Sequence, residues 1–465
     1  MNVRKVIICL VVIFLMLGCN GANEIIEGET AVPPTTQVVE ETAATETPPP
    51  TTLPTPDVRP TETAEPTATI MPSPTAVQAT ATFTPAIVLN GTAVTVTVAP
   101  AVNLEQPPYA PSACSDRFPC NDDVAAWERR IQVPPGFAVS YFAHLEGEQP
   151  TTMTFGPDGL LYAAVQAGAI YTVTPDGTVE LYVEGFDTPT GMAFQPGTAR
   201  LYVSDRLVNE NSGGESQISV VQNGNISQVF GGIPCCYTSL HAANGIAFGP
   251  DGFGYVSVGA RADHGEILPG NVNAGQQDEL HPWEASILRF SPDGSVIEPY
   301  ARGLRNSYDI AWDATGQLFA TDNAPDFGPP DELHAVMPGG EHGYPWYECG
   351  ACFSPPDGVE VIPPLYEFLP HSAVTGITAY LDDGFPGYYN NLFVVLWSAF
   401  ADAQRVMRFE PGGVNASTFA TGFAAPIDVT IGPDGDMYVA DWATGIVFRI
   451  EYVGVIGVIG LIGDW

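Results

Sequence analysis

The sequence predicts an all-β fold, a six-bladed β-propeller carried behind a disordered Thr/Pro-rich linker. Three observations predict it. One strand–turn–strand pattern recurs six times between Pro108 and Tyr452. Glycine (48 residues) and proline (44) are abundant and only 15% of the 465 residues are charged, a composition poor for long amphipathic helices. Ahead of Pro108 the composition shifts abruptly to threonine, proline, alanine and glutamate.

The first element is an export signal over residues 1–18. Arg4 and Lys5 form a short basic start, and Val6 to Leu17 is an unbroken apolar run. That run is too short to span a bilayer comfortably and suits a signal-peptide core. It ends in Leu15-Met16-Leu17-Gly18-Cys19, which resembles a bacterial lipobox. The expected mature chain starts at Cys19, its thiol lipidated and the protein held at the outer side of a bacterial membrane. Residues 19–107 form the second element, a tether. Stretches such as Thr47-Pro48-Pro49-Pro50-Thr51-Thr52 bury too little surface to offset their ordering entropy, and repeated prolines stiffen them. Ala86 to Val98 is more β-like, but it stands alone and is assigned to the tether.

The third element, 108–452, is the propeller. Its clearest repeats are Phe155-Gly156-Pro157-Asp158-Gly159, Phe248-Gly249-Pro250-Asp251-Gly252 and Ile431-Gly432-Pro433-Asp434-Gly435. Looser copies begin at Ala193 and Ala311, and a degenerate one at Thr378. Proline presets one turn residue and glycine supplies positive φ, while the flanking aromatic and β-branched residues alternate as half-buried strands do. Six such units give six blades, and a sandwich of ordinary hairpins is the weaker alternative. The last element, 453–465, is a tail rich in glycine, isoleucine and valine, too short and glycine-rich for a membrane helix.

Charge narrows the partners. Lysine plus arginine number 15 against 53 acids, for a net charge of −38, and Lys5 is the only lysine. A phosphate-binding face for nucleic acid is therefore not expected. Propellers carry their chemistry on loops at one end of the channel, so the long insertions Cys235–Asn244 and Arg302–Cys352 matter most. The first holds His241, whose neutral imidazole can take a proton from a hydroxyl. Taken alone, a loop histidine is more commonly a packing residue. The second holds Arg305, and oxygen-rich acids near glycine turns that suit a hard cation. Read without context, those acids and arginines are solvated turns and ion pairs.

Together these residues carry a resemblance. His241 with the following Phe-Gly-Pro-Asp-Gly turn, Arg302-Gly303-Leu304-Arg305-Asn306, Asp331-Glu332-Leu333 and Gly339-Gly340-Glu341-His342-Gly343-Tyr344-Pro345-Trp346 resemble the glucose/sorbosone dehydrogenase family, over Arg130 to Ile450. The resemblance implies a six-bladed propeller that oxidises a sugar or sugar-derived aldehyde with pyrroloquinoline quinone and calcium. It implies that His241 is the general base and that Arg305 stabilises the reduced quinone. It also implies that Ala324 and Pro325 offer carbonyls to the cofactor's calcium, that Asp331 and Glu332 flank a structural calcium, and that Arg405 and Arg408 meet cofactor carboxylates. Leu240 stands where glucose dehydrogenases have an aspartate, and Ala324 where they have a glycine, which brings the chain nearer the sorbosone-type branch. Two other readings of the propeller are a calcium-dependent gluconolactonase-like hydrolase, with Asn244 and channel acids on one ion, and a non-enzymatic module that binds glycan or protein.

Beyond Cys9 and Cys19 six cysteines remain: Cys114, Cys120, Cys235, Cys236, Cys349 and Cys352. An even count in an exported protein predicts three disulfides. Cys114 and Cys120 are close enough to close a small loop, and the pairing of the other four is left open.

Overall fold

The computed structural model describes residues 114–207, 214–235, 241–261, 281–325, 329–346, 358–398, 400 and 402–454, together with two short strands ahead of them. Those strands, Ala86–Leu89 and Thr92–Thr95, pair antiparallel within the stretch assigned to the tether. The signal segment, Cys19 and residues 455–465 lie outside the described residues.

Six four-stranded antiparallel sheets follow in chain order. Blade one is Pro150–Phe155, Leu161–Val165, Ala169–Val173 and Val179–Glu184. Blade two is Thr188–Phe194, Leu201–Leu207, Gly214–Gln222 and Asn225–Cys235. Blade three is Ala243–Phe248, Gly254–Val258, Ser286–Phe290 and Ile297–Arg302. Blade four is Ser307–Trp312, Leu318–Asp322, Glu332–Val336 and the two-residue strand Tyr366–Glu367. Blade five is Val374–Ala379, Leu392–Leu396, Arg405–Glu410 and Val414–Thr421. Blade six takes three strands from the end of the domain, Pro426–Ile431, Met437–Asp441 and Ile446–Tyr452, and its outer strand, Phe137–His144, from the start. The first strand of each blade touches the first strand of the next, and blade six touches blade one, so the ring is closed. This is the six-bladed propeller that the repeats predict.

The hydrophobic core is divided among the blade interfaces. Phe290 and Ile246 of blade three pack with Tyr202 and Ile218 of blade two, and Phe319 and Phe409 join blades four and five. Each blade therefore buries both faces, as a sheet in a propeller must. The Phe-Gly-Pro-Asp-Gly turns latch these sheets. In blades one, three and six the turn aspartate accepts a hydrogen bond from the tyrosine four residues on: Tyr162 to Asp158 (2.9 Å), Tyr255 to Asp251 (2.9 Å) and Tyr438 to Asp434 (2.8 Å). The glycine before the proline leaves room for that ring; a Cβ on Gly156 or Gly432 would lie 2.6 Å from the tyrosine Cε2. In blade five, where the motif is degenerate, Tyr380 stacks on Phe385 instead (4.6 Å, 14°) and donates to Gly435 O.

One helix, Val124–Arg130, was not expected. Asp123 caps it by accepting the Ala126 amide, and Trp127 is its fully buried residue. Trp127 packs on Phe118 and Phe448 and so ties this segment to blade six. The predicted Cys114–Cys120 disulfide is formed just before it. The Cys235 side chain, Cys236, Cys349 and Cys352 lie outside the described residues.

Candidate active site

Aspartates at the ends of second strands hold the segments that lead into the ring. Asp205 accepts the Thr188 amide, Asp322 the Arg305 and Asn306 amides, and Asp441 the Ala424 and Ala425 amides, at 2.7–2.9 Å. The repetition in blades two, four and six marks these buried carboxylates as backbone clamps. Asp322 thereby fixes Arg305, one of the expected site residues.

His241 lies two residues before the start of the inner strand of blade three and is buried. Gly259 packs between it and blade four: a Cβ there would lie 3.1 Å from His241 Cα and 2.8 Å from Asn306 Oδ1. Asn244, three residues after His241, donates to Asn306 Oδ1 (3.2 Å) and Ser307 O (3.1 Å). The His241 and Arg305 segments are thus joined across blades three and four. Burial pushes the His241 pKa well below its ordinary value, and the Arg305 and Arg206 guanidiniums push it the same way. The imidazole is neutral at pH 7 and can accept a proton.

Arg305 is buried, and one guanidinium nitrogen donates to both Asn323 O (3.1 Å) and Ala324 O (3.0 Å). Asp331 braces the same loop, accepting the Ala324 amide (3.0 Å) on one oxygen and the Ala373 amide (2.7 Å) on the other. Burial raises its pKa to about 6. Pro325 follows, buried, and 326–328 lie outside the described residues. Both Asp331 oxygens are thus taken by backbone amides. Glu332 instead joins Asp322 and His334, whose donor atoms lie within 4.8 Å of one another. Among the described residues this is the cluster of acids and imidazoles that could hold a cation.

Behind it runs a directional hydrogen-bond chain. The Met337 amide can only donate, so His342 Nε2 accepts it (3.3 Å) and His342 Nδ1 carries the proton. His342 Nδ1 then donates to His334 Nδ1 (3.3 Å), and His334 Nε2 donates to Glu332 Oε2 (2.9 Å). Burial lowers both histidine pKa values to about 3 and raises Glu332 to about 8. Sequence reading treated His342 only as part of a motif and passed over His334.

The two remaining arginines separate. Arg405 opens the third strand of blade five, opposite Leu396, at the same end of the ring as His241, and bonds Ala403 O (2.8 Å). Arg408 does not join it. It donates to Asn391 (2.6 Å) and lies over Tyr388, beside the turn between the first and second strands. Three residues along a strand carry a side chain about 10 Å, here to the opposite end of the blade. That end opens on a cavity of about 290 Å³ lined by Asp309 and Asp428. Asp309 accepts the Ile377 amide (3.0 Å) and Asp428 the Met153 amide (2.6 Å), so each staples its blade to the next.

The structure defines the class as a closed six-bladed propeller, with a buried neutral imidazole and a fixed guanidinium at one end of the ring. The chain belongs to the Glucose / Sorbosone dehydrogenase family, whose sequence profile matches residues 147–449. A PQQ-bound aldose sugar dehydrogenase from Streptomyces coelicolor shares the fold at 20% identity, with a TM-score of 0.53, over 69% of this chain and 99% of that one. The apo aldose sugar dehydrogenase of Escherichia coli does so at 18% identity and a TM-score of 0.53, over 68% and 99%. An uncharacterized protein of Borreliella burgdorferi is 24% identical over 367 residues, 69% of this chain and 91% of the relative.

Proposed function

We propose that the protein oxidises the C1 hydroxyl of an aldose, or the hydrated form of a sugar-derived aldehyde, at His241, and that it does so as a lipid-anchored protein outside the cytoplasm. The observation that carries this reading is the buried, neutral His241 set against Arg305 across blades three and four. The imidazole takes the hydroxyl proton, and burial keeps water from competing for it. The hydride acceptor we propose is pyrroloquinoline quinone with calcium, a group that accepts hydride and holds the resulting negative charge.

The donor set fits such a group. Asn323 and Ala324 already aim two carbonyl oxygens at a positive charge, the Arg305 guanidinium. Arg305 would stabilise negative charge beside His241, Ala324 and Pro325 would offer carbonyls to calcium, and Arg405 would meet a carboxylate. Asp322, Glu332 and His334 are a second candidate cation site. The hydrolase reading needs acids converging on one channel ion, whereas Asp309 and Asp428 are each bound to a backbone amide. The export signal and Cys19 support the anchor.

The test is the purified full chain with the quinone and calcium, followed by quinone absorbance and by dye reduction over neutral and acidic aldoses and aldehydes. Expected is turnover that His241→Gln reduces about 10²-fold or more while quinone absorbance is unchanged. Bound quinone with no turnover of any sugar would overturn the dehydrogenase reading. Labelling with a fatty-acid analogue, lost in Cys19→Ser, checks the anchor.

A further inference from the structure

We propose that Arg206 makes this site selective for aldoses that carry a carboxylate, the uronic acids, by holding that carboxylate while the C1 hydroxyl faces His241. The proposal rests on the dehydrogenase reading and names its substrate class.

Arg206 is the next-to-last residue of the second strand of blade two, Leu201–Leu207. It stands directly opposite Thr188 on one side and Ser216 on the other. Directly opposed residues project from the same face of a sheet. That face is turned to blade three, because the Ser216 hydroxyl accepts the Ala243 amide at 3.1 Å, two residues beyond His241. The guanidinium is also close enough to His241 to oppose its protonation.

Several arginines of the domain have carboxylate partners, Arg261 with Glu284 (2.9 Å), Arg289 with Asp251 (2.9 Å) and Glu298 (2.7 Å), and Arg449 with Asp434 (3.3 Å), while Arg130 and Arg405 bond backbone carbonyls (2.8 Å each). Arg206 has no carboxylate partner among the described residues, and its Nε is buried without a hydrogen-bond partner. Asp187 acts on it only through space. In a chain of charge −38 an unmatched, half-buried guanidinium is costly and conspicuous. It also weakens the neighbouring base. A carboxylate on the substrate would relieve both effects, and the planar fork matches that group in two parallel hydrogen bonds.

The experiment compares D-galacturonate and D-glucuronate with D-galactose and D-glucose, using wild type, Arg206→Gln and Arg206→Lys in the full chain. Calorimetric binding to the cofactor-loaded protein is measured beside kcat and KM. Expected is a uronate preference, the ratio of kcat/KM for uronate over neutral aldose, that Arg206→Gln reduces about 10–100-fold, mainly through the uronate KM. Arg206→Lys should recover part of the preference, and added salt should weaken uronate binding in wild type more than in Arg206→Gln. Equal loss for acidic and neutral sugars, or a loss confined to quinone affinity, would overturn the assignment. If no sugar is oxidised the dehydrogenase reading fails by itself, and calorimetry still decides whether Arg206 selects the carboxylate.

Discussion

Burial and two guanidiniums act on His241 in one direction, since all three disfavour the imidazolium. A base must be neutral to act, so in the proposed role of His241 activity would rise with pH through the pKa of the free protein's imidazole. Because that pKa is depressed, the acid limb of kcat/KM is expected well below the ordinary histidine value of about 6.5. Arg206→Gln removes one of the opposing charges and should move that limb upward on a neutral aldose; a limb that stays put would show that Arg206 does not face the base. At this scale the sequence was legible where residues sit in a dense motif. His241, Arg305, Asp331 and Glu332 were all nominated by their neighbours. Arg206 stands in an ordinary strand, and the one signal for it was the scarcity of cations in the domain. Arg408 shows the opposite case, because a two-arginine strand reads as one basic patch until the rise of three residues along the strand puts them at different ends.

At the scale of the element, the turn motif accounts for its own residues. Tyr438→Phe removes a hydrogen bond to a carboxylate that keeps Arg449 as a second partner at 3.3 Å. The expected cost is about 1 kcal/mol, read from the urea midpoint. Gly432→Ala should cost more, about 1–3 kcal/mol, because the added carbon meets the Tyr438 ring and the Asp434 carboxylate. If the two variants cost the same, the latch is not organised around that ring. Such turns repeat, which is why six blades could be counted from sequence. Two elements could not be read in the same way. The Val124–Arg130 helix depends on a buried tryptophan finding blade six, a contact with no local signature. The outer strand of blade four shrinks to two residues because the long excursion after Val336 returns only at Tyr366.

For the whole molecule, the channel acids link stability to pH. Burial and mutual repulsion raise the Asp309 pKa, and burial raises Asp428 to about 7. Tyr308 and Thr152 face the pair, with the Met153 and Val429 amides on Asp428. A carboxyl raised in the folded state stabilises it fully below its unfolded value of about 4, and that contribution is lost as pH rises through about 7. The thermal midpoint should therefore fall between pH 5 and pH 8 by more in wild type than in Asp428→Asn. Equal pH slopes would show that the pair does not titrate in this range. Ring closure makes a separate prediction. A chain that begins at Leu145 lacks the outer strand of blade six and exposes the faces of Phe448 and Ile450. It should lose cooperative unfolding, measured by calorimetry, rather than melt a few degrees lower.

The closing strand also decides how the domain answers a pull. Phe137 pairs with Tyr452 and His144 with Ile446, so both chain ends leave from the same end of one ladder. Tension between them opens that ladder one rung at a time, like a zipper, instead of shearing every rung together. Ahead of the zipper sits a plug, with Trp127 wedged against Phe448 and Arg130 bonded to Gly422 O at 2.8 Å. Under load the plug is extracted first, from blade six and from the Thr421 edge of blade five to which Gln132 is bridged, and then blade six unzips. A ring that resists heat as a unit would thus yield to a modest force applied at its two ends.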